Sequence, residues 1–135
     1  MRNISAISLL LLATAGWASG TGVCNCGAFM TTDIGDILIV ELPALEAKNC
    51  DDHKGCSRAC VEEVGSGGDL FAMAADGTDR TNGQALCDEM GKPIDNKLIY
   101  GYYELCGGPW EYTGVSSEQA LCCDDNGQHQ YCQME

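Results

Sequence analysis

Basic side chains are scarce in this chain of 135 residues. Only 7 Lys and Arg stand against 20 Asp and Glu, so the formal net charge is −13. Nucleic acids and anionic membranes would repel such a chain, because both carry dense negative charge. The composition therefore predicts no nucleic-acid or membrane partner. It favours an unknown extracellular protein or a matrix component, with basic matrix proteins and calcium-rich mineral among the candidates.

Histidine is also rare, and the chain has only His53 and His129. Each lies in a polar stretch, which favours a solvated surface position over a role as metal ligand or general base. The sequence has no nucleophile elbow, phosphate-binding loop or zinc-protease motif. Paired carboxylates such as Asp51-Asp52 are explained by an acidic surface. We therefore expect no catalytic residues, no enzymatic activity, no cofactor and no resident metal.

Long apolar runs are absent except near the N-terminus. The run Ile4 to Ala13 follows a short basic start and is too short to cross a bilayer, which is typical of a signal peptide. Small residues follow it, and we adopt cleavage after Gly20 over the alternatives after Ala15 and Ala18. Residues 1–20 are thus predicted to be a signal peptide.

Large apolar residues are few in the remaining segment, residues 21–135, where Leu, Ile, Val and Phe together make up about 17 per cent. At this net charge such a composition is typical of disorder. The 10 cysteines reverse that expectation. Five disulfides, each worth roughly 2–4 kcal/mol, would compensate for a thin core. We expect a single secreted, extracellular, cysteine-rich domain that folds only when oxidised.

All ten cysteines are predicted disulfide residues: Cys24, Cys26, Cys50, Cys56, Cys60, Cys87, Cys106, Cys122, Cys123 and Cys132. The sequence leaves their connectivity open. In an extended segment Cys24 and Cys26 point to one face, whereas the neighbours Cys122 and Cys123 must diverge to different partners. Thiol exchange at Cys24 and Cys26 is the alternative to two structural bridges, and no thioredoxin-like pattern supports it.

The local patterns predict a small α+β disulfide-rich domain, with a few short strands and one or two short helices. The spacing of Cys56, Cys60 and Val64 predicts an amphipathic helix held by two disulfides. Pro43 predicts a short helical turn, and the capping-box residues at 116–119 predict one or two further turns toward Cys122. The predicted strands are 21–30 (a short strand or turn), 34–42 (the best candidate for a buried strand), 97–106, 110–113 and 130–132.

Two acidic turns are candidates for weak calcium binding, because calcium prefers clustered carboxylate and carbonyl oxygens. They are Asp76 to Asp79 and Asp124 to Gly127. Neither matches an EF-hand loop, so ordinary turns are favoured. The polar segment from Asp69 to Gln84 is predicted to be a long loop.

The cysteine framework resembles that of the arthropod follicle cell protein family of the three-C type. The matching features are Cys24-x-Cys26-Gly27-x-Phe29, Cys56-x-x-x-Cys60, Cys106 followed by Trp110, Ser117 to Cys122-Cys123, and Tyr131-Cys132. The resemblance implies a small secreted protein associated with ovarian follicle cells and eggshell formation, with no catalytic residues to carry over.

Two hypotheses from different functional classes follow. The first is a structural protein associated with a matrix or eggshell. The second is a secreted effector, such as a venom component or an inhibitor, that presents the loop from Asp69 to Gln84 to a target protein.

Overall fold

The computed structural model describes residues 22–65 and 68–133, and the predicted signal peptide lies outside them. The described residues form a small disulfide-rich α+β domain with two helices, which confirms the predicted fold class. In chain order the elements are β1 (Gly22–Thr32), β2 (Gly35–Glu41), β3 (Leu45–Ala47), α1 (His53–Gly65), α2 (Asn82–Met90), β4 (Ile94–Lys97), β5 (Ile99–Leu105), β6 (Trp110–Ser116), β7 (Leu121–Cys123) and β8 (His129–Gln130). Neither helix is long and apolar enough to cross a membrane.

Strand β1 is the centre of a five-stranded antiparallel sheet, which we call the large sheet. The strand order is β2-β1-β5-β6, and β3 pairs with the first residues of β1. Strands β4, β7 and β8 form a separate small sheet in the order β4-β7-β8. The segment predicted as a short strand or turn is therefore the longest strand of the fold.

Alternation along β1 divides the large sheet into two faces. Cys24, Cys26, Ala28 and Met30 are all buried, and they belong to the two core clusters under the helices. This side is the inner face. Side chains of the intervening residues lie on the opposite, outer face, because successive strand residues alternate.

Strand β2 confirms the predicted strand but corrects its burial. Residues 34–42 were the best candidate for a buried strand, yet β2 lies at the edge of the large sheet. Ile39 alone is buried in β2, while Leu38 is 41% exposed. A register irregularity between Ala28 and Phe29 of β1 accounts for the loss of simple alternation.

Helix α1 confirms the predicted amphipathic helix. Cys56 and Cys60 are one turn apart on its inner side and are both buried. Helix α2 is not among the predicted elements. Its first three residues, 82–84, belong to the predicted loop at 69–84, and the local patterns predicted no element for residues 85–90. Thr81 caps α2 by accepting a hydrogen bond from the amide of Gln84, and Gly91 ends the helix in the left-handed conformation.

Two predicted helical turns are strands or extended segments instead. The turn expected after Pro43 is occupied by β3, because Leu45 to Ala47 pair with the start of β1 and Ala47 is buried there. The capping-box helix is also wrong. Ser116, the predicted N-cap, is the last residue of β6 and pairs with Tyr100, and Gln119 bonds to the loop at Asp69, so the two residues cap no helix.

The predicted strands 97–106 and 110–113 form the hairpin of β5 and β6, joined through the turn at 107–109. The pairing of β5 with β6 has a register shift between Tyr100 and Tyr102, at Gly101. The last strand, expected at 130–132, is the short β8 at His129–Gln130.

Candidate functional site

The disulfides connect every predicted cysteine and leave none free. The pairs are Cys24 with Cys56, Cys26 with Cys60, Cys50 with Cys106, Cys87 with Cys123, and Cys122 with Cys132. Two expectations are confirmed by this pattern. The first two cysteines leave β1 on one face toward one helix, and the neighbouring pair near the C-terminus diverges to different partners.

The sulfur cluster beneath the large sheet is structural. In the described residues, the sulfurs of Cys24, Cys56 and Cys60 lie within 4.8 Å of one another, close enough for a metal site. All three belong to disulfides, and thiolate is the form that binds zinc. Cys24 and Cys26 are buried and bonded to separate partners, which gives thiol exchange no accessible dithiol.

His53 lies at the first turn of α1, beside the hairpin of the large sheet. Its Nδ1 is 3.2 Å from the hydroxyl of Tyr103 and 3.9 Å from Oε2 of Glu111. Burial, and secondly the charge of Glu111, raise the pKa of Tyr103. A phenol with a raised pKa is a weaker acid and stays protonated at neutral pH, so Tyr103 is suited to a hydrogen bond with His53 that ties the helix to the hairpin.

His129 is half-buried rather than solvated, which corrects its expected surface position. Its ring stacks on Phe71 with centroids 4.3 Å apart, and Nδ1 lies 3.1 Å from Oγ1 of Thr81. Nε2 is buried with no hydrogen-bond partner among the described residues. Burial lowers the pKa of His129, so the neutral ring is favoured in this position.

The first calcium candidate, Asp76 to Asp79, is an Asx turn closed by an arginine. Oδ1 of Asp76 accepts hydrogen bonds from the amide and hydroxyl of Thr78. Arg80 bridges Asp76 and Asp88, at 3.4 Å and 2.6 Å. Hydrogen bonds from Thr78 and then Arg80 lower the pKa of the Asp76 carboxyl group, and those from Gln84 and then Arg80 lower the pKa of Asp88. Arg80 thus places a guanidinium where a cation would bind.

The second calcium candidate, Asp124 to Gly127, is also a turn. Oδ1 of Asp124 accepts hydrogen bonds from the amides of Asn126 and Gln128, at 2.9 Å and 2.8 Å. The carboxylate oxygen therefore already has two donors, as in an ordinary Asx turn. Calcium binding at either turn remains a prediction.

A groove of about 470 Å³ lies against the inner face of the large sheet. Its lining is mainly small and aliphatic, with Ala28, Val64, Leu70 and Ile99 among the contributors. Such a lining is suited to burying nonpolar groups rather than to acid–base chemistry.

The outer face of the large sheet carries the largest aromatic cluster in the described residues. We call it the aromatic face and define it by Phe29, Tyr100, Tyr102, Trp110 and Tyr112. Phe29 is buried beneath the others, with ring centroids 4.3 Å from Tyr102 and 5.4 Å from Trp110. Tyr112 lies 5.5 Å from Tyr102 and 5.7 Å from Tyr100, and is 47% exposed.

Strand register explains why these five rings meet. Tyr102 is opposite Gly27 on one side and Tyr112 on the other, while Tyr100 is opposite Phe29. Residues directly opposite or diagonal on one face are close enough for aromatic contact. The ring of Trp110 thus packs on Phe29 at the outer face of the large sheet.

A glycine in the middle of β1 lets the rings close over the strand. A Cβ atom at Gly27 would lie 2.8 Å from Cδ1 of Leu38 and 3.2 Å from two ring carbons of Trp110. A side chain at residue 27 would therefore require Leu38 and the ring of Trp110 to move. Leu38 on β2 extends the aromatic face toward the sheet edge, opposite Phe29.

Polar groups border the aromatic face. Glu104 lies between Asn25 and Trp110 in one cross-strand row and accepts a 2.9 Å hydrogen bond from the Asn25 amide. Asp36 accepts hydrogen bonds from Tyr102 and Thr31, and these bonds lower the pKa of its carboxyl group.

Sequence reasoning did not identify this face as a site. The alternation of Tyr100 with Tyr102, and of Trp110 with Tyr112, is the signal that could have shown two aromatic rows on one side of a hairpin. The contribution of Phe29 depends on the non-local pairing of β1 with β5.

The comparisons with known proteins identify no relative of this chain. No family model matches it, and neither a curated protein nor a solved structure matches it.

Proposed function

We propose that this protein is secreted and acts outside the cell as a non-catalytic binding protein associated with an extracellular matrix. The observation that carries the proposal is the aromatic face, a partly exposed set of packed rings on a sheet cross-linked to its helix by two buried disulfides. Aromatic side chains are enriched at recognition surfaces, because they bury a large area at a small cost in conformational entropy.

Rigidity supports a binding role. The disulfide from Cys24 to Cys56 and that from Cys26 to Cys60 fix α1 beneath the strand that carries Phe29. A surface that is already ordered loses little freedom on association, which improves affinity without additional contacts. Disulfides of this density are typical of proteins in oxidising extracellular compartments. An eggshell association, which the family resemblance implies, is one specific form of this proposal.

The proposed function is tested by expressing the full chain in a secretory culture that deposits matrix. We expect the oxidised protein in the medium and in the matrix, and Tyr112→Ala should shift it to the medium. Tyr131→Ala, which removes an exposed tyrosine outside the large sheet, is the matched control and should behave like the wild type. A protein that stays freely soluble and binds no matrix component would contradict the proposal.

A secreted effector is the second candidate, and one observation favours it. The loop tip at 75–79 is exposed throughout, yet Arg80 holds it through Asp76 and Asp88. The rest of the 69–84 segment is poorly suited to presentation because Leu70 is fully buried. Replacing only residues 75–79 by a Gly-Ser linker tests this candidate. Loss of target binding with the fold intact would favour the effector over the matrix protein.

A further inference from the structure

The strands of the large sheet contain no basic residue. Neither residues 22–47 nor residues 98–133 include a Lys or an Arg. Six of the seven basic side chains lie between residues 48 and 97, and the seventh is Arg2. Carboxylates on the large sheet therefore have no lysine or arginine partner within the sheet itself.

Carboxylates are distributed around the aromatic face rather than on one side of it. Asp36 is next to the ring of Tyr102, and Glu104 is directly opposite Trp110. Glu41 is opposite Gly27, over which the ring of Trp110 extends. All three carboxylates lie on the outer face with the rings, because the residues opposite them on the neighbouring strands lie on that face. The same surface thus combines aromatic rings and negative charges.

Aromatic rings and carboxylates on the same surface together favour a cationic ligand. A guanidinium or ammonium group is attracted to the face of an aromatic ring, and the attraction is strongest for Trp and Tyr. A carboxylate at the edge of that ring binds the same cation and orients it. Neutral sugars also stack on aromatic rings and donate hydrogen bonds to carboxylates, but they gain no charge–charge attraction from three carboxylates that have no cationic partner among the described residues. An anionic partner would be repelled by them.

We propose that the aromatic face recognises a basic protein segment, with arginine or lysine side chains stacked on Trp110 and Tyr112 and paired with Glu104. This inference rests on the proposed binding function and names the class of its partner. Arginine fits better than lysine, because its planar guanidinium stacks on a ring while also donating to a carboxylate. The overall charge of −13 would steer such a segment to the protein at low ionic strength.

The binding assay uses the fluorescence of Trp110, which is the only tryptophan in residues 21–135. The probe is a peptide of about ten residues that alternates Arg and Gly. Its control is the same peptide with citrulline in place of arginine, because citrulline keeps the shape and loses the charge. Chitohexaose serves as an uncharged probe that can stack on rings. Each is titrated into the oxidised protein at low and at physiological salt.

Two variants with matched controls locate the binding. Tyr112→Leu should weaken binding of the arginine peptide roughly two- to fivefold, whereas Tyr131→Leu should not. Glu104→Gln keeps an acceptor for Asn25 and should weaken binding by a similar factor. Glu111→Gln removes the same charge one residue away from Trp110 on the opposite face, and should have little effect. Thiol counting and circular dichroism verify that each variant is folded.

The expected result is that the arginine peptide binds, that salt weakens it, and that the citrulline peptide does not bind. Equal binding of the two peptides would overturn the inference. Binding of chitohexaose alone, lost in Tyr112→Leu, would also overturn it while leaving the proposed binding function intact. If Tyr112→Leu does not fold, Glu104→Gln with the two peptides decides the question. If matrix association is also insensitive to Tyr112→Ala, the proposed function fails as well.

Discussion

Tyr102 and Asp36 are joined across the central strand of the large sheet, although 66 positions separate them in the sequence. The phenolic hydroxyl of Tyr102 donates a hydrogen bond to Oδ2 of Asp36, with 2.5 Å between the oxygens. Because Tyr102 is on β5 and Asp36 on β2, the bond spans β1 and ties the aromatic face to the edge of the sheet. Between these two strands, the ring of Tyr102 packs on Phe29 of β1.

The Tyr102 to Asp36 bond predicts a pH dependence at both ends of the scale. The bond raises the pKa of Tyr102 to about 12 from its ordinary value of 10.0. The protonated phenol therefore stabilises the folded protein below about pH 10, and this stability is lost as the pH rises from 10 to 12. Asp36 has a lowered pKa in the folded protein, so its carboxylate contributes stability above its unfolded pKa, near 4. This stability is lost as the pH falls from about 4 through the lower pKa of the folded state.

Tyr102→Phe tests both effects. We expect the variant to lose less stability between pH 10 and 12 than the wild type, and the pKa of Asp36 to rise toward its ordinary value. Alkaline denaturation and an NMR titration of the Asp36 carboxyl group measure these changes. An unchanged Asp36 pKa in the variant would contradict the bond.

Gly27→Ala is predicted to disturb the aromatic face. The added Cβ would approach Leu38 and the ring of Trp110 too closely, so we expect a loss of about 1–3 kcal/mol in the free energy of unfolding. The emission of Trp110 should change with it. Val23→Ala on the same strand is the control, because Val23 is 51% exposed and should cost within about 0.5 kcal/mol. Equal stability of the two variants in urea denaturation would argue against close packing over Gly27.

His129 is predicted to make stability depend on mildly acidic pH. Its lowered pKa means that the neutral ring is favoured in the fold, so stability is full above about pH 6.5 and falls as the pH drops. His129→Phe keeps a ring over Phe71 and removes the titration. The variant should therefore show a flatter stability profile between pH 7 and pH 5. A wild-type profile that is flat over this range would refute the prediction.

A disulfide that closes a long loop should contribute more to the free energy of unfolding than one that closes a short loop. In the chain-entropy picture, removing the Cys26 to Cys60 bridge, with a sequence separation of 34, costs about 4 kcal/mol. Removing the Cys122 to Cys132 bridge, with a separation of 10, costs about 3 kcal/mol. Burial adds to the first loss, since both Cys26 and Cys60 are fully buried. Double Cys→Ala variants compared in urea should show this order, and the reverse order would contradict it.

Local features could be predicted from the sequence where a residue pattern was compatible with only one local structure. The spacing of Cys56 and Cys60 placed both sulfurs on one side of a helix, and Cys24-x-Cys26 placed two sulfurs on one side of a strand. The sequence did not show which cysteine of β1 bonds to which cysteine of α1, because that depends on how α1 lies under β1 in the assembled sheet.

Predictions of helices failed where a side chain could form either a helix cap or a tertiary contact. Gln119 fits a capping box, but its amide bridges to Asp69 and to the amide of Leu70 instead. Thr81 and Gln84 have the same spacing and do form a helix cap, at the start of a segment expected to be a loop. Nothing local distinguishes the two cases, because tertiary contacts decide which one forms a helix.

The most direct test of the central claim is to map the binding surface by NMR. Backbone amide shifts of the oxidised protein are followed during titration with the arginine peptide, with the citrulline peptide as control. We predict that the changes concentrate on β1, β5 and β6 around Phe29, Tyr102 and Trp110, and that they are absent with citrulline. Changes confined to the loop tip at 75–79, or equal changes with both peptides, would contradict recognition of a basic segment by the aromatic face.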